Sequence, residues 1–406
     1  MRQSSAHGDG EPGGIMSASQ AAQLARAPEP PLSLFHAAML LSGFGTVFLG
    51  PVLPALAASA HATDSGSGLF FTAQFIGAFF GGITTSQRLF FCLIRGLSAA
   101  FTGFLLLAIC SALGAGVVWD VVALVPLGFG VGQMLTSVNL LAAQRFQERR
   151  SSGLSLINFT WSLGAVTAPF LLGSVLSAVA LPAVLVAVTV LFAVVLAWAF
   201  WNVRDRLSEG NQQTAQTQLH LPPSAFAAFA AMLLLYGGVE TCLSGWITTF
   251  GTRYGNSALR ISTLGATALW LGIVAGRALA PLLLRFVRER VFLLATLCSA
   301  TAIVILLSRA SGAVSITLLA ALLGLSLAPW FPLILSAMLS RGATARETGI
   351  IIALSGIGAA VLPLLLGVVS RSTGSLRIAL SVPLAGLVLL LALAALTRSS
   401  TPAKSV

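Results

Sequence analysis

Glu240 stands in an otherwise apolar run, LLLYGGVETCLSGW (233–246). A charge at the centre of a hydrocarbon layer costs about 2.5–3.5 kcal/mol on insertion scales. Such a carboxylate either lines an aqueous cavity, binding solute or a coupling cation, or serves as structural glue between helices. Tyr236 and Ser244 lie four residues to either side, on the same helical face. Gln133, Thr136 and Asn139 recur at i, i+3 and i+6 as a polar stripe. Asn158 and Ser162 share a helical face, with Trp161 beside them. Each amide both donates and accepts hydrogen bonds, which suits a polyol, and an indole face stacks on the apolar side of a sugar ring. The same amides also hydrogen-bond between membrane helices. Trp246 and Trp330 either wall a cavity or pack.

The elements that position these residues are long apolar helices. Of the 406 residues, 57% are hydrophobic and 8% charged, against about 25% charged in soluble domains. Too few polar groups remain to cover a soluble surface, so lipid is the solvent for much of the exterior. Twelve runs are long enough to cross a bilayer: 35–58, 68–87, 97–116, 121–143, 152–176, 179–201, 225–249, 262–283, 291–308, 313–339, 347–369 and 375–396. They are continuous rather than alternating, which argues against a β-barrel.

The basic residues set the expected orientation. With the N-terminus inside, sixteen Arg and Lys fall in inner segments and five in outer ones, with Arg277 at an inner helix end. The positive-inside rule then puts both termini in the cytoplasm. The net charge of +11 comes from scattered arginines between apolar runs, a loop-anchoring pattern rather than a nucleic-acid face. Cys92, Cys110, Cys242 and Cys298 have no metal-ligand spacing. Gly128, Gly130 and Gly132 follow no strand, so they read as helix-packing positions rather than a nucleotide loop. No catalytic triad, Walker motif or zinc motif is present, so neither an enzyme nor a cofactor is expected.

Residues 1–34 lack an apolar core and read as a disordered cytoplasmic tail, and 398–406 read as a cytoplasmic tail. The polar stretch 203–220 reads as a cytoplasmic linker between a bundle over 35–202 and another over 221–397. The halves repeat. Leu127, Gly128 and Arg145 recur at Leu323, Gly324 and Arg341, while Gly164, Pro169 and Gly173 recur at Gly358, Pro363 and Gly367. Six-helix halves repeated in parallel are an arrangement known among transporters.

The block GFGVGQMLTSVNLLAAQRFQERRSSGLSLINFTWSLGAVTAPFLLG (128–173), with GPVLPAL (50–56), YGGVETCLSGW (236–246) and GLSLAPWFP (324–332), resembles the major facilitator superfamily. The resemblance covers nearly the whole chain from about residue 35, and the branch it is most similar to contains fucose permeases and bacterial glucose symporters. It implies an all-α membrane protein of twelve transmembrane helices in two pseudo-symmetric six-helix bundles.

Two departures from the family pattern stand out. GGITTSQR (81–88) keeps Arg88 but has Ser86 near the usual acid. The first span has no carboxylate, and the fourth offers Asn139 where proton-coupled relatives carry an acid. Glu240 is then the leading coupling candidate.

The expectation is a secondary transporter in the cell membrane, moving a small polar solute, foremost a monosaccharide, by alternating access. Asn139, Asn158, Trp161, Tyr236, Glu240, Trp246 and Trp330 are the expected substrate contacts. The expected partners are the solute, the lipid bilayer and a proton or sodium ion if transport is symport; the chain is expected to be monomeric. Efflux of an amphipathic compound is the alternative within transporters. A receptor or scaffold that keeps the fold without transporting is the alternative of another class.

Overall fold

The computed structural model describes residues 29–146, 150–208, 220–256 and 258–396. Most of the two expected tails, and residues 209–219 of the expected linker, lie outside the described residues. The helices in chain order form twelve spans. The first is Leu32–Val47 with Leu49–Ser59; the second to sixth are Asp64–Ile83, Leu89–Leu113, Val117–Arg145, Arg150–Val175 and Leu181–Val203. The seventh to ninth are Pro223–Tyr254, Leu259–Leu283 and Glu289–Arg309, and the tenth is Ala313–Leu327 with Trp330–Ser340. The eleventh is Ala345–Thr373, and the twelfth is Leu376–Ala379 with Ser381–Leu396. Eleven are long and apolar enough to span singly, and the first makes twelve as a pair bent by 49°.

That bend has a local cause. Pro51 has no amide hydrogen for the Val47 carbonyl, and Pro54 follows within the second segment. Gln74 of the second span covers the break, its Nε2 donating to the carbonyls of Gly45 and Thr46, each at 3.0 Å. Several expected boundaries shift by four residues or more, among them the starts of the second, third and fourth spans. The second span starts at Asp64, where the Thr63 hydroxyl accepts from Gly66 N–H as an N-cap. The third starts at Leu89 rather than 97 and so takes in Arg95. Arg95 is tolerated there because its Nε donates to Gln133 Oε1 at 2.7 Å and its Nη2 to the Thr84 carbonyl at 3.0 Å.

The internal repeat is visible in the closest helix contacts. A Cβ on Gly128 would lie 1.8 Å from the Gln74 carbonyl oxygen of the second span; on Gly324 it would lie 2.0 Å from the Leu269 oxygen of the eighth. Gly164 meets Leu40 O and Phe44 N of the first span, and Gly358 meets Leu234 O and Gly238 N of the seventh. Gly173 faces Thr263 in the opposite bundle, as Gly367 faces Asp64. The same small residues therefore hold the same helix pairs in both halves. Gly128 and Gly132 press on the second span and Gly130 on the third, which is the packing role expected of that glycine run.

Between the bundles, the first span packs on the seventh, the second on the eleventh and the fifth on the eighth. The tight points of these seams fall in the half away from the chain termini or near mid-span. Gly50 meets Ser244 and Gly245, Gly68 meets Leu364, and Thr72 Oγ1 donates to the Ala360 carbonyl at 2.7 Å.

Candidate functional site

In the N-terminal bundle the structure brings Asn139 and Asn158 together. Asn158 Nδ2 donates to Asn139 Oδ1 at 2.9 Å and to the Leu154 carbonyl at 2.8 Å. Asn139 Nδ2 donates to the Leu135 carbonyl at 2.8 Å. Asn158 is exposed and Asn139 half-buried. One side-chain amide hydrogen of Asn139 and the side-chain Oδ1 of Asn158 have no partner among the described residues, so the pair offers one donor and one acceptor side by side. Two neighbouring hydroxyls of a polyol match that arrangement.

Trp161 follows on the same span, and its ring meets Trp270 of the eighth span edge-on, at 5.9 Å between centroids. Its Nε1 is buried without a partner among the described residues. His36, in the first turns of the first span, bonds through Nδ1 to Thr160 Oγ1 at 2.7 Å.

The expected stripe of Gln133, Thr136 and Asn139 does not hold. Steps of three residues fall about 60° short of a full turn each, so i and i+6 diverge by about 120°. Gln133 is buried against Arg95 of the third span, while Asn139 faces Asn158 of the fifth.

In the C-terminal bundle Glu240 is not a lone charge. Arg277 of the eighth span lies within electrostatic reach of both Glu240 and Tyr236. The Tyr236 hydroxyl lies in hydrogen-bonding range of both Glu240 and Arg277, though neither it nor Arg277 Nε makes a hydrogen bond of good geometry. Glu240 is half-buried, and the Tyr236 ring stacks at a tilt 6.4 Å from Phe331 of the tenth span. Reading Arg277 only as a helix end missed this partner. Its signal was the count of charges, since an acid inside an apolar helix calls for a cation on a neighbouring one.

The two remaining tryptophans are buried in this conformation. Trp330 is 0% exposed and its Nε1 donates to Thr296 Oγ1 of the ninth span at 3.2 Å, inside its own bundle. Trp246 is 2% exposed and lies at the seam between bundles, its ring 6.2 Å from Phe71.

The model of the Major Facilitator Superfamily matches residues 35–347. The chain belongs to the major facilitator superfamily. With its apolar spans, it is therefore a multi-pass membrane protein of that superfamily. The glucose/mannose transporter GlcP of Bacillus subtilis (strain 168) is 24% identical over 259 residues, 59% of this chain and 63% of that protein. The chain thus spans less than two thirds of that relative's length.

Two solved structures share the fold. The nucleoside transporter NupG superposes with a TM-score of 0.68 at 14% identity, over 89% of this chain and 96% of that one. FucP in its outward conformation gives 0.60 at 17% identity, over 90% and 98%; FucP is the fucose:proton symporter of E. coli.

Proposed function

We propose that this transporter moves a monosaccharide across the cell membrane by alternating access, between bundles spanning 35–202 and 221–397 and joined by a linker over 203–220. The observation that carries the reading is the Asn139–Asn158 pair. It presents a free amide hydrogen and a free side-chain carbonyl oxygen at an exposed position on a membrane-spanning helix. Unmet polar groups in such a place fit a solute whose hydroxyls donate and accept together.

Tyr236, Glu240 and Arg277 supply the corresponding polar group from the other bundle, and Trp161 supplies an aromatic surface. Trp246, at the seam, and Trp330, in the bundle core, would reach solute only after rearrangement. The similarity to a glucose/mannose transporter supports the solute class. Nucleosides also carry a sugar ring, so they belong on the same test panel.

Sixteen basic residues on the side of the chain ends support a cytoplasmic placement for both termini. The tight seam between the bundles then lies toward the outside. Glu240 is the coupling candidate if transport is symport with a proton or sodium ion. The test is uptake into proteoliposomes of a panel of hexoses, 6-deoxyhexoses and nucleosides, with and without pH and sodium gradients. Saturable uptake of a hexose or deoxyhexose, competed by its close isomers, is the expected result. Uptake confined to apolar, poorly hydrogen-bonding compounds would instead support efflux of amphipathic molecules.

A further inference from the structure

The face of the molecule away from the termini is closed by charge as well as by packing. Asp64, the first residue of the second span, belongs to the N-terminal bundle. Its two carboxylate oxygens accept from the two terminal nitrogens of Arg253, in the last turn of the seventh span, with Nη1···Oδ2 at 2.7 Å. Ser370 Oγ of the eleventh span donates to the same Oδ2 at 2.5 Å. Beside it, Arg371 Nη1 donates to Ser65 Oγ at 3.1 Å. One turn further in, a Cβ on Gly367 would lie 2.3 Å from the Asp64 carbonyl oxygen. The backbones are thus already as close as they can come, and the carboxylate is clamped between two helices of the opposite bundle.

Three features set this pair apart from an ordinary surface ion pair. The Asp64 side chain is only 16% exposed and Arg253 39%, so water and salt screen them incompletely. The geometry is bidentate, the strongest form of a guanidinium–carboxylate contact. Asp64 also sits at a helix N-terminus, where the unpaired backbone N–H groups favour a negative charge.

The acids at the other face are used differently. Glu347 accepts from Thr344 N–H in a capping box and from Leu221 N–H, within the C-terminal half. Glu29 pairs with Arg145 in the N-terminal half. Ser86, in the loop after the second span, is neutral and bonds to Cys92.

We propose that Asp64 is a positioning residue for the transport cycle. Its ion pair with Arg253 and the hydrogen bond from Ser370 lock the face away from the termini. The protein therefore rests open toward the terminal side and must break this clamp to turn over. The cycle itself rests on the transport reading; the clamp does not.

The test places spin labels on exposed loops of the two bundles at that face, through Ala115→Cys and Ser311→Cys, in a protein whose four native cysteines are replaced by serine. Distances are read by double electron–electron resonance. The native pair should give one short distance. Asp64→Asn and, independently, Arg253→Gln should each add a longer-distance population, raising the open-to-closed ratio about fivefold or more. The charge exchange, Asp64→Arg with Arg253→Asp, should return the distribution toward the short distance, which a merely structural defect would not do.

Unchanged distances in both single variants, or an exchange variant as open as the singles, would overturn the proposal. Hexose and nucleoside uptake is measured on the same samples. Shifted distances in a protein that carries none of these solutes would leave the clamp standing and sink the substrate reading. Native uptake with unmoved distances would sink the clamp alone.

Discussion

Asn158 gives one amide hydrogen to Asn139 Oδ1 at 2.9 Å and the other to its own helix, at Leu154 O. That fixes the orientation of the Asn158 amide and turns its oxygen into a spare acceptor. The two residues are held as a unit, so their contributions to solute binding should not add. Asn158→Ala removes the acceptor and frees Asn139. We expect the KM for the transported solute to rise about tenfold, as loss of one to two hydrogen bonds implies, with the maximal rate little changed. Asn139→Ala should behave alike, and the double variant should be less impaired than the product of the two. Uptake kinetics in proteoliposomes measure all three. Unaltered KM in both single variants would make the pair interhelical glue.

The repeat makes a paired prediction about stability. Gly164 and Gly358 stand against backbone atoms of the first and seventh spans, with a Cβ at 2.0 and 1.8 Å from carbonyl oxygens. Neither contact can yield by moving a side chain. Gly164→Val and Gly358→Val should each destabilise by about 3 kcal/mol or more and lose most folded protein in detergent. Gly349, whose added Cβ meets nothing within 4 Å, is the control: Gly349→Ala should hold or gain about 0.5–1 kcal/mol through helix propensity. Thermal unfolding followed by tryptophan fluorescence reads the difference. Equal melting of all three variants would contradict the packing account.

What sequence could and could not show follows from the range of each interaction. Twelve apolar runs and the recurring glycine and proline positions were legible, because span length and close helix approach each impose a local pattern. Gly128 and Gly164 repeat at Gly324 and Gly358 because the same backbone contact repeats. The Asn139–Asn158 pair was legible as two candidates, though their mutual bond was not. Arg253 and Asp64 lie 189 residues apart, and no local periodicity links them. Arg277 was hidden for the same reason: its partners are on the neighbouring span, and its sequence neighbours look like any helix end. Trp330 read as a possible cavity wall because composition cannot tell which face of a helix meets Thr296.

The tryptophans separate core from site. Trp330→Phe keeps most of the apolar volume and removes the Nε1 bond to Thr296. We expect a stability loss of about 1 kcal/mol with KM unchanged. Trp161→Phe removes a buried Nε1 that has no partner among the described residues, so stability should hold. If Trp161 binds solute, its KM should rise several-fold. The same melting and uptake measurements decide both; the opposite assignment of effects would move Trp330 into the site and Trp161 out of it.

Glu240 and Arg277 call for a test that separates coupling from structure. A carboxylate inside an apolar helix is less costly when a cation on a neighbouring helix lies near it; Arg277 is within electrostatic reach of Glu240, without a direct ion pair between them. Glu240→Gln keeps the shape but leaves the Arg277 charge without a counter-ion. We expect a stability loss of about 2 kcal/mol and, if Glu240 carries the coupling ion, loss of gradient-driven accumulation. Counterflow exchange, which needs binding but no gradient, should survive in part. Adding Arg277→Gln removes the stranded charge. The double variant should recover most of the melting temperature, because a neutral amide pair is cheap to bury when hydrogen-bonded. Accumulation should stay lost, since the carboxylate at position 240 is gone. Recovery of both melting temperature and accumulation in the double variant would show that Glu240 acts as structural glue. A native protein that never concentrates its solute, under either a pH or a sodium gradient, would make Glu240 a solute ligand in a uniporter. In that case Glu240→Gln should raise KM for facilitated entry rather than abolish accumulation, and the same proteoliposomes would record it.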